Sequence, residues 1–311
     1  MKAIFYCFSG TGNTLRVMNR IKDEWEKRGH SAKLVSILPD AEPETEEYDR
    51  IVVGFPVHAF NAPAPVLNFI KRFPKRAKGD EKTVFLLRTS GEPVRMNDAA
   101  SVLPARILKR RGYEVKGDIY HVMPYNIIFR HSDEMAARMD RVSKIKAPHD
   151  ACDLEKGEGK RYRTNLFMRI ASFFLRIEHP AMPVVGLGFR VKKDKCVGCG
   201  KCAGVCPQGN ITMKDGKPKF GGHCVACMGC AFSCPTDAVR PSLLNGWRVN
   251  GAYPYGGLVA SDAQVCRYCR KAYLRYFHEA EELARQNYEM VGSAYEESAS
   301  SAEALGQKTA G

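Results

Sequence analysis

The side chains with the clearest metal-binding chemistry are cysteines, and ten of the twelve lie at or after residue 196. Eight of them form two runs of the pattern C-x2-C-x2-C-x3-C-P, displaced by 28 residues. The runs consist of Cys196, Cys199, Cys202 and Cys206, and of Cys224, Cys227, Cys230 and Cys234. A short turn with three cysteines can direct three thiolates at one iron–sulfur cubane, while zinc ribbons use two separated pairs. The pattern therefore favours iron–sulfur chemistry over zinc.

The two runs resemble those of bacterial two-cluster ferredoxins. This resemblance implies two [4Fe–4S] clusters, in which the fourth cysteine of each run ligates the cluster of the other run. The implied ligands are Cys196, Cys199, Cys202 and Cys234 for cluster 1, and Cys224, Cys227, Cys230 and Cys206 for cluster 2. Between the runs, residues 211–213 and 217–220 flank Asp215-Gly216, which predicts a β-hairpin.

A second candidate site lies near the N-terminus, where a glycine-rich loop stands between a predicted strand and a predicted helix. Its glycines allow close approach of a ligand, and its hydroxyl, amide and backbone N–H groups can bind phosphate at a helix N-terminus. No Lys-Ser/Thr pair follows, and Leu15 replaces the third glycine of a dinucleotide loop. The predicted phosphate ligands are Ser9, Gly10, Thr11, Gly12, Asn13 and Thr14.

The elements that must position this loop alternate between strand and helix patterns. Strands rich in β-branched and aromatic residues are predicted at residues 3–8, 33–37, 51–54, 83–87 and 118–123. Segments of helical period separate them, which predicts an α/β, doubly wound, five-stranded parallel sheet covered by helices on both faces.

With that loop and strand order, residues 1–150 resemble a flavodoxin, which implies that the loop binds the phosphate of FMN. The resemblance also implies that the flavin ring lies against the loops after the third and fourth strands. The corresponding candidates are Pro56, His58, Phe60, Asn61, Thr89, Ser90 and Gly91. Phe60 is the best candidate to stack on the ring, with His58 second, although Phe60 could equally be an ordinary loop aromatic. Residues 124–126 form a candidate further wall.

The order of these two regions resembles iron–sulfur flavoprotein fusions known as EFR-type ferrodoxins. The predicted division is a flavodoxin-like FMN-binding domain at 1–150, a basic amphipathic connector at 151–190 and a small α+β ferredoxin-like domain at 191–245. A helical extension at 246–291 and a disordered tail at 292–311 follow. The resemblance implies transfer of single electrons between the clusters and FMN. A ferredoxin-fed flavin-dependent reductase and a redox-responsive interaction module are the alternatives.

The formal charge of +14 raises the question of an anionic partner. No nucleic-acid recognition motif accompanies the basic residues, so we expect no nucleic-acid partner and instead redox partner proteins of acidic character. The N-terminus lacks a signal-peptide pattern, which predicts a cytoplasmic protein. Residues 163–179 form a basic amphipathic helix that we expect to pack between the domains rather than on a membrane surface. Cys266 and Cys269 are expected on a C-terminal helix, partly buried and not as cluster ligands.

Overall fold

A computed structural model describes residues 1–255 and 270–290. Its first part is a parallel sheet of β1 (Lys2–Cys7), β2 (Ser31–Ser36), β3 (Arg50–Pro56), β4 (Lys82–Ser90) and β5 (Tyr113–Val122). The strand order is β2-β1-β3-β4-β5, so the chain reverses direction across the sheet between β1 and β3. In open α/β sheets, ligands bind outside the carboxyl ends of the strands at such a reversal. The predicted flavodoxin-like sheet is confirmed.

Helices cover both faces of the sheet because the central strands are apolar on both sides. The covering helices are α1 (Asn13–Lys27), α2 (Ala64–Lys71), α3 (Val102–Arg110) and α4 (Asp133–Lys156), with a 3-10 turn at Arg95–Ser101 before α3. One core holds α2 and α3 against the sheet, and a second core holds α1 and α4. Strand β5 begins five residues before its predicted start, directly after the turn that ends α3.

The first domain is longer than the predicted boundary at residue 150. Helix α4 crosses that boundary and ends at Lys156, and Ala151 and Leu154 are fully buried in the core beneath α1. Gly157 then ends the helix with a φ of 72°, a left-handed conformation that glycine adopts at low cost. The domain boundary therefore falls after this glycine.

The connector contains α5 (Leu166–Leu175) and α6 (Glu178–Leu187). Asn165 caps α5, and its side chain accepts a hydrogen bond from the N–H of Met168. The expectation that the apolar face of α5 packs between the domains is wrong, because Phe167 and Phe174 are 73% and 69% exposed. The buried positions of α5 are Met168 and Ser172.

The cysteine-rich region is built from short elements around two cysteine turns. They are β6 (Arg190–Val191), α7 (Lys201–Gly204), β7 (Ile211–Lys214), β8 (Lys217–Phe220), α8 (Gly229–Phe232) and β9 (Val239–Arg240). The predicted hairpin is present, because β7 pairs with β8 in antiparallel register, and β6 pairs likewise with β9. Pro241 is followed by a 3-10 turn at Ser242–Trp247.

The last described element is α9 (Arg270–Met290), which packs on α4 and β5 of the first domain. Tyr273 and Phe277 are fully buried there, and the Tyr276 hydroxyl accepts a hydrogen bond from the N–H of Val122. Cys266, Cys269 and the predicted tail lie outside the described residues. Within the described part of the chain, no helix is long and apolar enough to cross a membrane.

Candidate cofactor sites

The first cysteine turn lines a small cleft at the end of the ferredoxin-like region. Cys196, Cys199 and Cys202 line this cleft, and the fourth cysteine in it is Cys234 of the second run. The pKa of the Cys202 thiol is raised by burial and, in addition, by its neighbours Cys199 and Cys234. The structure therefore brings together the four residues that the ferredoxin resemblance assigns to cluster 1.

The second cysteine turn brings together the other four cysteines, which are Cys224, Cys227, Cys230 and Cys206. Burial raises the pKa of the Cys230 thiol, and the neighbouring Cys227, Cys224 and Cys206 raise it further. Burial also raises the pKa of the Cys227 thiol to about 12. Because only thiolates ligate iron, binding of a cluster here must release protons from these buried thiols.

Backbone N–H groups point at the sulfurs of both sets. Asn210 N donates to Cys206 Sγ at 3.4 Å, and the equivalent Ala238 N donates to Cys234 Sγ at 3.2 Å. Burial acts to raise the pKa of Cys234, but donation from Ala238 and Thr236 outweighs it and lowers the pKa. Such donors stabilise a thiolate and tune the potential of an iron–sulfur cluster.

The two turns share one backbone shape although their residues differ. Gly198 and Gly200 have φ values of 71° and 72°, and the equivalent residues of the second turn, Ala226 and Met228, have 49° and 61°. A residue other than glycine is strained in this region. The left-handed conformation is therefore imposed by the need to wrap three cysteines around one point, not by glycine alone.

No three His, Cys, Asp or Glu side chains in residues 1–255 and 270–290 converge closely enough to share a single metal ion. A cubane has a different requirement, since each of its four cysteines binds its own iron.

The predicted phosphate loop lies between β1 and α1. Gly12 has a φ of 93°, and its N–H donates to Ser9 Oγ at 3.1 Å, which closes the loop on itself. The first N–H groups of α1 have no partner within the helix and face the loop. Two predicted ligands are otherwise engaged: Asn13 donates to Pro124 O at 2.8 Å, and Thr14 Oγ1 shares a buried hydrogen bond with Thr89 Oγ1. The backbone and the hydroxyls of Ser9 and Thr11 remain the best phosphate donors.

The loop after β3 forms a tight turn beside the phosphate loop. His58 and Asn61 exchange backbone hydrogen bonds of 2.9 and 2.7 Å across it. The tip residues Ala59 and Phe60 have φ values of 39° and 61°, which are strained for residues other than glycine. This turn presents Phe60 at its tip, half-buried. Burial lowers the pKa of His58 to about 4, so its imidazole is neutral at pH 7.

Asn61 is not free to contact a flavin. Its side chain is buried, and its amide donates to Ser172 O of α5 at 2.9 Å while its oxygen accepts from Ser172 Oγ at 2.9 Å. The connector therefore fixes the loop after β3 from behind, and we name this loop the candidate flavin loop, or flavin loop for short. Helix α6 contributes as well, since the ring of His179 donates a hydrogen bond to the backbone of Ala62.

The loop after β4 is covered by an aromatic side chain from the segment after β5, where the sequence offered residues 124–126 as a candidate wall. A Cβ atom on Gly91 would overlap the ring of Tyr125, so the ring lies directly on the backbone of this loop. Ser90 is held by Tyr120, with 2.6 Å between the hydroxyl oxygens. The sequence signal for this contact was Gly91 itself, because a residue without a side chain lets the Tyr125 ring approach the backbone.

The cysteine turn of the second run packs against the phosphate loop. A Cβ on Gly10 would lie 2.6 Å from Cys227 Cβ and 2.8 Å from Cys227 O, and a Cβ on Gly229 would overlap Gly10 O. Asn126 joins both sides, donating to Thr11 Oγ1 at 3.2 Å and to Cys227 O at 3.0 Å. Nothing in the cysteine spacing revealed this contact.

Comparison with known proteins agrees with both halves of this arrangement. Residues 3–100 match the flavodoxin domain family, and residues 189–212 match the 4Fe–4S binding domain family. An uncharacterized ferredoxin of Methanocaldococcus jannaschii is 43% identical over 54 residues, which are 16% of this chain and 70% of that ferredoxin. A polyferredoxin of Methanothermus fervidus is 42% identical over 53 residues, which are 16% of this chain and 12% of the polyferredoxin.

Among solved structures, oxidised flavodoxin 2 of Bacillus cereus matches with a TM-score of 0.40 and 17% identity, covering 50% of this chain and 97% of that flavodoxin. The fold and the two domain matches define a class of electron-transfer protein, the iron–sulfur flavoproteins. The chain belongs to the members of this class in which a flavodoxin domain is followed by a 4Fe–4S ferredoxin domain.

Proposed function

We propose that this protein carries single electrons between an external redox protein and FMN through two [4Fe–4S] clusters arranged in series. When bound, the clusters supply one-electron steps, and FMN supplies a carrier of one or two electrons. The observation that carries the proposal is the contact of Cys227 with Gly10, which joins one cluster turn to the phosphate loop. We name the turn of Cys224, Cys227 and Cys230 the inner motif and that of Cys196, Cys199 and Cys202 the outer motif.

The cysteine neighbourhoods support two clusters with crossed ligands. Cys234 lines the cleft of the outer motif, and Cys206 neighbours the thiols of the inner motif. Each fourth ligand would therefore tie the two motifs together and hold both clusters in one small unit. The N–H donors of Asn210 and Ala238 would stabilise the thiolates of these two fourth ligands.

The flavin would be held by three segments of the first domain. The hydroxyls of Ser9 and Thr11 and the N-terminus of α1 fit the phosphate, while Phe60 and the ring of Tyr125, which lies on Gly91, fit the two sides of a planar ring. Asn126 holds the phosphate loop against the inner motif. Through these contacts, the chain itself would hold the cofactors close together and in a fixed orientation.

The outer motif is the proposed point of exchange with an external protein. Cys199 is exposed, and Lys192, Lys193, Lys195 and Lys201 are exposed around it. A basic rim of this kind steers an acidic partner toward the cluster. We retain a cytoplasmic location as part of this proposal.

Metal and flavin analysis after anaerobic purification tests the proposal. We expect about eight iron atoms and about one FMN per chain. In an anaerobic redox titration, the flavin and cluster absorption bands should both respond to the same external reductant. Zinc in place of iron, or about four iron atoms per chain in a fully loaded preparation, would contradict the two-cluster arrangement.

A further inference from the structure

Helix α5 exposes an apolar face that no described residue covers. Its large apolar side chains are far more exposed than is usual for a globular protein. The exposed residues of this face are Leu166, Phe167, Ile170, Phe173, Phe174 and Ile177, whose exposed fractions lie between 47% and 73%. Further exposed apolar side chains lie on α6, at Val184 and Leu187. We name the six residues on and beside α5 the apolar face.

The orientation of α5 is fixed by polar contacts on its opposite side. Ser172 is buried and holds α5 to the flavin loop through two hydrogen bonds with Asn61. Met168 is buried on the same side. The helix is therefore turned with its polar anchor toward the protein and its phenylalanines toward the outside, the reverse of an ordinary surface helix.

The segment that carries this face is basic. Residues 160–177 contain five basic residues and no acidic residue. Arg163 and Arg169 are exposed, and Arg169 and Arg176 line a groove together with Phe173 and Phe174. Basic side chains beside exposed Phe, Leu and Ile are the composition of helices that lie in a membrane interface. A second copy of the same face would bring these like charges together across a two-fold axis.

We propose that the apolar face of α5, with its flanking arginines, docks on the surface of an anionic lipid bilayer. The helix would lie in the plane of the interface, with its aromatic and aliphatic side chains among the acyl chains and the arginines at the headgroups. Because Asn61 joins α5 to the flavin loop, docking would hold that loop within about one helix diameter, about 10 Å, of the interface. Exchange with a membrane-embedded redox carrier would then become geometrically feasible.

Vesicle co-sedimentation of the full cofactor-loaded chain tests this proposal. At low ionic strength, we expect binding to phosphatidylcholine vesicles that contain about 30% phosphatidylglycerol, with much weaker binding to phosphatidylcholine alone. Combining Phe167→Ser with Phe174→Ser should weaken binding at least about tenfold, because two large apolar groups no longer enter the bilayer. Combining Arg163→Gln with Arg169→Gln should weaken binding to anionic vesicles about 30-fold, with little change on neutral ones.

Two control variants match these changes elsewhere on the surface. Leu38→Ser removes an apolar side chain that is 43% exposed, and Lys214→Gln combined with Lys219→Gln removes two exposed charges from the β7–β8 hairpin. Both controls should bind vesicles like the unaltered chain. The proposal is overturned if the unaltered chain fails to bind anionic vesicles at low salt, or if the controls lose as much binding as the α5 variants. It is also overturned if the phenylalanine substitutions abolish only self-association or binding of a protein partner.

Discussion

The two cysteine motifs have the same spacing and the same backbone shape, but they occupy opposite environments. In the outer motif Val197 is 67% exposed, whereas the equivalent Val225 of the inner motif packs against the core of the flavodoxin-like domain. Lys201 is exposed before the third outer cysteine, and its inner equivalent is Gly229, which lies on the backbone of Gly10. A duplicated ligand pattern has thus acquired one solvent-facing copy and one copy buried against the candidate flavin site.

This difference gives the two copies separate tasks under the proposed function. The buried motif suits exchange with FMN because it contacts the phosphate loop. The exposed motif suits exchange with another protein because its cysteine turn and its lysines reach solvent. Burial and hydrogen bonding also tune cluster potentials, so the two clusters should differ in potential despite identical ligands.

The largest expected effect tests the crossed ligands that join the motifs. Cys206→Ala should remove the cluster of the inner motif, although Cys206 belongs to the run of the outer motif, and iron content should fall by about half. Cys202→Ala should instead remove the outer cluster and leave the inner one next to the flavin. Iron analysis and electron paramagnetic resonance of the reduced protein distinguish the two losses.

Cys152→Ala is the matched control, since Cys152 lies on α4 in the first domain, outside both cysteine runs. It should retain both signals. If Cys206→Ala abolished the outer cluster and spared the inner one, the ligands would not be crossed.

A smaller effect is expected from exchanging the residues that distinguish the two motifs. Gly229→Lys places a side chain where Gly10 O now lies, and we expect it to separate the inner motif from the phosphate loop and to destabilise the chain by about 1–3 kcal/mol. Lys201→Gly, at the equivalent exposed site, should cost only about 0.5–1 kcal/mol through helix propensity. Thermal denaturation and the flavin content after gel filtration measure both changes. Equal losses in the two variants would show that the inner contact contributes nothing.

An effect of similar size concerns α6, which touches the inner motif. A Cβ on Gly186 of this helix would overlap Cys224, and its first residue is Glu178. Burial raises the pKa of Glu178 to about 7, and His179 Nε2 lies 3.8 Å from its carboxylate. A carboxyl whose pKa is raised by folding does not destabilise the folded state below its unfolded pKa, about 4.3. The free energy of unfolding then falls as the pH rises from that value through about 7.

Glu178→Gln should therefore flatten the pH dependence of stability between about pH 4.5 and 7, with a gain on the order of 2 kcal/mol above pH 7. The melting temperature measured across this pH range is the readout. Asp40→Asn, at an exposed carboxylate between β2 and β3, serves as the control and should leave the slope unchanged. A slope that is identical in Glu178→Gln and the unaltered chain would contradict the burial of this carboxyl.

The sequence predicted the local features of both sites because their signals are local. The positions of the strands, the hairpin at Asp215-Gly216 and the loop before α1 all depend on side-chain period and turn chemistry within a few residues. Strand ends were less accurate: β5 begins before its predicted start because Tyr113 and Val115 pair with β4 directly after the α3 turn. The boundary at residue 150 was misplaced because α4 continues until its core contacts end at Leu154.

Helix α5 shows most clearly what could not be predicted from the sequence. The helical period of its apolar residues was evident in the sequence. That period predicts only that the helix has an apolar face, not what the face packs against. The hydrogen bonds of Ser172 with Asn61 determine which side of the helix faces the protein, and those residues are more than a hundred positions apart. The same holds for Asn126, whose link between Thr11 and Cys227 joins three distant segments.

By itself, the sequence determined which chemistry the chain carries: two cysteine runs, a phosphate loop and the sheet that supports it. Those properties follow from residue type and short spacing, because they depend only on residues that lie close together in the chain. Only the tertiary structure decided that one motif is buried on Gly10 while the other faces solvent, and that the apolar side of α5 is exposed. Such choices depend on packing between segments distant in the chain, where the free energy of contact outweighs any local preference.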